Sequence, residues 1–223
     1  MSHDPLWDDA ARDALRDTLR WSILGEVRLA QRDRARILQN CYEVFVQDDC
    51  PKSESDSFMQ FAADEIDCVV NRLAHEQATW PTETDCDRLD RVEDALRERG
   101  ILLWQASPCC DSCTRGEVGD RIEVINSRYP GFSDFVRGCA FFIDQNLPEM
   151  LANSTALSVY LGYDWLSQDG SSADEDDYEQ NALGIAHEVC QCLLDEAFEP
   201  NWDGSYARKI GISLNWQRRT LLP

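Results

Sequence analysis

The sequence predicts an α+β fold: a helical N-terminal portion followed by a roughly five-stranded mixed or antiparallel sheet with helices packed on it. Three observations predict it. Apolar residues recur at helical spacing through the first 80 residues. From Gly100 onward, short apolar runs alternate with helical and turn-rich stretches. The 223 residues are 43% hydrophobic and include seven tryptophans, which can fill a real core and set the chain apart from disordered ones. The expected division is a mainly helical portion over 1–80 and an α+β portion over 81–223, with one core able to serve both.

Asp4-Pro5 predicts a helix start, Asp as cap and Pro at the first helical position. Ala11, Leu15, Leu19 and Ile23 mark its inner face, and Gly25 breaks or weakens it. A second helix is expected over 33–46 with Ile37, Leu38, Cys41, Val44 and Phe45 inward. After a loop holding Pro51, a capping box of Ser57 and Gln60 predicts a third helix, reaching Gln77 and burying Phe58, Ala62, Ile66, Val69 and Leu73. Trp80-Pro81 turns the chain. Thr84 then caps a fourth helix, with Asp85 and Asp87 at its positive end and Leu89, Val92 and Leu96 buried. Gly100 stops it. Strands are expected at Ile101 to Gln105, Cys139 to Ile143 and Ala156 to Leu161. A hairpin comes last, from Phe198 to Trp202 and from Lys209 to Trp216, turning at Asp203-Gly204. Between strands lie helices at Asp120 to Ser127, Leu147 to Ala152 and Tyr178 to Ala197, and an acidic, serine-rich loop at 167–177.

Several of these stretches occur together in a pattern. Ala78-Thr79-Trp80-Pro81, Thr84-Asp85-Cys86-Asp87-Arg88-Leu89, Cys109-Cys110-x-x-Cys113, Phe141-Phe142, Trp202-Asp203-Gly204 and Trp216-x-Arg218-Arg219 appear in that order. Together they resemble a bacterial family of uncharacterised domains of unknown function, over about residues 60 to 219. The resemblance implies no reaction. The chain departs from the pattern at Thr114, where the family has Gly, and at Ile143-Asp144-Gln145-Asn146, where it has a His-Gln-Gln-Asp-like run.

The formal net charge is −21, from 42 acidic and 21 basic residues, and of the basic ones only Lys52 and Lys209 are lysine. Such a chain is repelled by nucleic-acid phosphates and by anionic membranes, whereas a basic protein remains a suitable partner. The first residues carry no basic and apolar signal-peptide pattern, and no apolar run is long enough to span a membrane. These features predict a cytoplasmic protein whose ten cysteines are thiols or metal ligands. Phosphate loops, dinucleotide fingerprints and the Gly-x-Ser-x-Gly elbow have no match, and three histidines provide poorly for acid–base catalysis.

The candidate site is the turn holding Cys109, Cys110 and Cys113. Three readings stand side by side: a zinc site needing a distant fourth ligand such as His187 or Cys190, a thiol–disulfide site at a helix N-terminus, and a compact turn with buried sulfurs. The thiol reading lacks a surrounding βαβ unit in the predicted elements. Asp85, Asp87 and Asp90 form a carboxylate group that helix capping explains. Trp80, Trp202 and Trp216, with Arg218, are candidates for an aromatic binding surface as well as for core edges. The balance predicts a non-enzymatic acidic binding module, immunity- or antitoxin-like, without a cofactor; the alternative is a zinc or thiol-redox protein.

Overall fold

A computed structural model describes residues 7–108, 110–167, 174–219 and 222. The chain divides into two compact units. One comprises 1–82, 146–155 and 216–223, the other 83–145 and 156–215.

In the first unit, α1 (Asp9–Leu29) begins at Asp8, whose side chain accepts from the Ala11 N–H at 3.0 Å. The expected start at Asp4-Pro5 lies outside the described residues. Gly25 does not break α1, which runs on to a left-handed cap at Ala30 (φ 57°). α2 (Arg34–Cys41) passes directly into a π-helical turn, Tyr42–Val46. Its wider i→i+5 spacing rotates the apolar face, so Val46 is buried and Val44, expected inward, is 64% exposed. α3 (Ser55–Glu76) starts two residues before the expected Ser57 cap, and no side chain caps it. Gln60 donates to Asp64 instead of closing a capping box. Leu19, Ile23, Ile37, Ile66 and Leu73 build this unit's core. A short helix, α7 (Leu147–Asn153), belongs to the same unit and packs on α1.

Glu54, at the start of α3, accepts from Trp7 Nε1 (2.8 Å) and from Arg12 Nε and Nη2 (2.8 and 2.7 Å). The Arg12 hydrogen bond holds its carboxyl down at about 2. A depressed carboxyl pKa stabilises the fold above the ordinary value of 4.5 and ceases to do so as pH falls towards 2. The urea midpoint, followed by circular dichroism, should therefore fall modestly across that window. Glu54→Gln should remove this part of the acid sensitivity; an unchanged profile would assign it to other carboxylates.

In the second unit, α4 (Asp85–Glu98) has the predicted cap. The Thr84 hydroxyl accepts from the Asp87 N–H, and Asp87 Oδ2 accepts from the Thr84 N–H at 2.8 Å. Beyond it lie β1 (Ile101–Ser107), α5 (Asp111–Arg128), α6 (Phe132–Phe135), β2 (Gly138–Ile143), β3 (Ala156–Trp165), α8 (Glu175–Asp195) and β4 (Ile210–Asn215). The sheet has four strands in the order β1-β2-β3-β4, with β1 parallel to β2 and the other pairs antiparallel. It is thus mixed, one of the two kinds expected, and among the described residues it has four strands rather than five. Phe198 to Trp202 contributes a single bridge, Asn201 to Gly211. Ala197 takes a left-handed φ of 58° just before this segment, so the chain enters it through a bend. The Trp202 ring N–H lies between the Ser205 and Arg208 carbonyls and closes a loop rather than a hairpin. The acidic loop expected at 167–177 falls largely outside the described residues; α8 begins within it, at Glu175.

Candidate functional site

β1 ends in a bulge. Its pairing with β2 slips between Trp104 and Ser107, and Ala106 takes a left-handed φ of 47°. A bulge redirects the chain as it leaves a strand. Ser107 is fully buried: its hydroxyl donates to the Phe142 carbonyl at 3.2 Å and lies 2.9 Å from the Thr114 hydroxyl. Thr114 is buried too, and the contact with Ser107 gives it a local role. The strand end and the first turn of α5 are thereby fastened together across the cysteine turn.

Cys110 is the N-cap of α5, in extended conformation, and its carbonyl accepts from the Thr114 N–H at 2.9 Å. Cys113 is one turn further on. The two sulfurs are 3.3 Å apart, and Cys110 Sγ is 3.2 Å from the Ser112 hydroxyl. Cys113 is exposed and Cys110 half-buried. The sulfur separation exceeds a disulfide bond of about 2.05 Å. It is shorter than the roughly 3.8 Å between two thiolates on one tetrahedral zinc. Cys109 lies outside the described residues. Lys209 pairs with Asp111 at 2.5 Å, tying the start of α5 to the residue before β4.

α5 spans 111–128, far longer than the helix expected at Asp120 to Ser127. It connects the parallel strands β1 and β2, which supplies the βαβ unit that the predicted elements lacked. The periodicity hid it because Asp111 to Gly119 carries little apolar surface: Thr114 and Val118 are its buried residues. Among the described residues no three His, Cys, Asp or Glu side chains are grouped to hold a metal ion. His187 packs edge-on to Trp202 at 5.0 Å, and burial raises the Cys190 thiol to about 11. Cys41 and Cys139 are buried, with burial pushing both thiols to about 12, so both behave as small apolar groups.

The three carboxylates near α4 have separate tasks. Asp85 accepts from Arg88 (2.6 Å) and from the Asn215 N–H (2.8 Å), Asp87 completes the cap, and Asp90 accepts from Gln105 (3.0 Å). The aromatic candidates also part. Trp80, Trp216 and Arg218 belong to the first unit and Trp202 to the second. Trp80 and Trp202 are half-buried, while Trp216 is 1% exposed with Arg218 stacked on its ring at 5.1 Å.

One group was missed in the sequence. Arg115 Nε donates to Asp164 Oδ2 at 2.7 Å, and the Tyr178 hydroxyl donates to Asp164 Oδ1 at 3.1 Å. The Asp164 hydrogen bond raises the Arg115 pKa, and burial together with the Asp164 charge raises that of Tyr178. The three residues come from α5, β3 and α8. The available signal was Asp164 itself, a carboxylate near the end of an apolar strand, but its partners are 49 and 14 residues away.

A family model described as a domain of unknown function, DUF6891, matches residues 12–220. No curated protein and no solved structure matches the chain. No described helix is long and apolar enough to cross a membrane.

Proposed function

The chain belongs to the DUF6891 family, whose description names no activity, and from the geometry we propose that Cys110 and Cys113 form a dithiol that exchanges with disulfides. One observation carries this reading: two sulfurs 3.3 Å apart at the N-cap and in the first turn of an 18-residue helix. The unpaired N–H groups at a helix start favour a thiolate there. In the reaction one cysteine thiolate attacks a substrate disulfide, forming a mixed disulfide and releasing the first substrate thiolate, which takes up a proton. The second cysteine, deprotonated, attacks the mixed disulfide and releases the second substrate thiol. The substrate gains two electrons and the chain keeps a Cys110–Cys113 bond.

The test is a redox titration with reduced and oxidised glutathione, read by mass and by native thiol count. The expected result is a two-electron step confined to Cys110 and Cys113, abolished in Cys110→Ser and in Cys113→Ser, one of which traps the mixed disulfide. Thiols that stay unreactive until denaturation would overturn the proposal. So would a protein purified with about one zinc per chain that frees three thiols on chelation; that result would establish the zinc alternative, with Cys109 as third ligand.

A second reading, an acidic module for a basic protein partner of the immunity or antitoxin kind, is favoured by a groove of about 870 Å³ in the first unit. Trp7, Ala11, Leu15 and Phe45 line it, and the exposed Asp48 and Asp49 stand at its rim. The charges on α1 weaken this reading, because Asp9, Asp13 and Asp17 are each paired with an arginine three residues on. In either reading the net charge of −21 disfavours nucleic acid and anionic membrane as partners.

A further inference from the structure

The Arg115–Asp164–Tyr178 group forms one wall of a cleft of about 330 Å³ in the second unit, whose other walls include Val118, Trp165 and Tyr206. We propose that this cleft binds a small organic monocarboxylate with a flat or apolar body, and that Arg115 recognises its carboxylate. The site stands apart from the dithiol. Arg115 shares a helix face with Asp111, whereas Cys113, two residues away, does not.

Four features carry the assignment. Asp164 has a side chain only 10% exposed, and both its oxygens accept hydrogen bonds. A buried carboxylate is costly unless paired, so the Arg115 plane is held in one orientation. The bond to Asp164 uses Nε alone, and among the described residues no hydrogen bond or ion pair engages the two terminal nitrogens of this half-exposed side chain. That edge of a guanidinium matches the two oxygens of a carboxylate. The charges of Arg115 and Asp164 offset each other, so in a chain of net charge −21 a monoanion is tolerated better than a dianion. Finally, Trp165 and Tyr206 each meet Tyr178 edge-on, at 6.0 and 6.3 Å between ring centres, and with Val118 they offer an apolar bed for the ligand's body.

The experiment titrates the full chain with benzoate, acetate, inorganic phosphate and tetramethylammonium, by calorimetry and by NMR of the Trp165 indole and tyrosine rings. Benzoate is expected to bind with a Kd of about 1 mM and to shift Trp165 and Tyr206. Acetate, lacking the body, should bind at least about tenfold more weakly. Arg115→Gln should weaken benzoate binding by about tenfold or more. If that variant unfolds because Asp164 loses its partner, Tyr206→Ala, at a rim position 37% exposed, carries the same test. The proposal is overturned if benzoate leaves these rings unmoved, if a folded Arg115→Gln or Tyr206→Ala binds it as the parent does, or if phosphate or tetramethylammonium binds in its place.

Discussion

Gly25→Ala should lose about 3 kcal/mol of stability, a fall in Tm of roughly 6–12 °C for a chain of this length. In an exposed helix the same change would gain about 1 kcal/mol, because alanine is the better helix former. The sign reverses here because a Cβ at Gly25 would sit 1.9 Å from the Pro148 carbonyl oxygen and 2.5 Å from its carbon. Both are backbone atoms at the start of α7, which rotamer changes cannot move. Gly184→Ala in α8 is the internal control, since nothing lies within 4 Å of its added Cβ. It should leave stability unchanged or raise it by up to about 1 kcal/mol. Thermal melts of the two variants beside the parent decide the matter; equal Tm values for both would mean that α7 does not lie against Gly25.

Trp216→Ala should cost about 3–5 kcal/mol, the usual range for deleting a large buried aromatic ring. The side chain is 1% exposed, and its ring N–H donates to the Arg28 carbonyl at 3.0 Å. That carbonyl is one of the last in α1, which have no partner within the helix, so the indole also serves as a C-terminal cap. Trp216→Phe should cost less, about 1–3 kcal/mol, as it keeps much of the packing but leaves the carbonyl unpaired. Urea midpoints at constant slope measure both. A Trp216→Ala protein of unchanged stability would make this residue a surface candidate again.

These positions show what a local pattern can and cannot reveal. Thr84 lies directly before the acidic first turn of α4, so the cap was legible; that Asp87 answers it with a reciprocal bond came from the structure. The apolar stripe of α3 was legible too, since Phe58, Ala62, Ile66, Val69 and Leu73 are all buried. Val44 was misplaced because nothing in its neighbours announces a π turn. The first half of α5 was missed because its stability depends on packing a few residues, Thr114 and Val118, rather than on an apolar stripe. The hairpin was overread because Asp203-Gly204 does turn the chain, with Gly204 at φ 81°, but into a loop closed by Trp202.

The candidate site divides in the same way. The i,i+3 spacing of Cys110 and Cys113 and their place after β1 are written in adjacent residues, and so are the net charge and the family resemblance. The pairing of β1 with β2, the bulge at Ala106 that aims the cysteine turn, the close approach of Pro148 to Gly25 and the meeting of Arg115 with Asp164 are not. Each joins segments far apart in the chain, and their alignment depends on how whole elements pack. Sequence alone therefore determined the α+β class, the helical N-terminal part and the position of the thiols in the chain. Tertiary structure decided the number of strands, the βαβ setting of the dithiol and the existence of the Arg115 cleft, because burial and pairing at those places arise only once distant segments share a core.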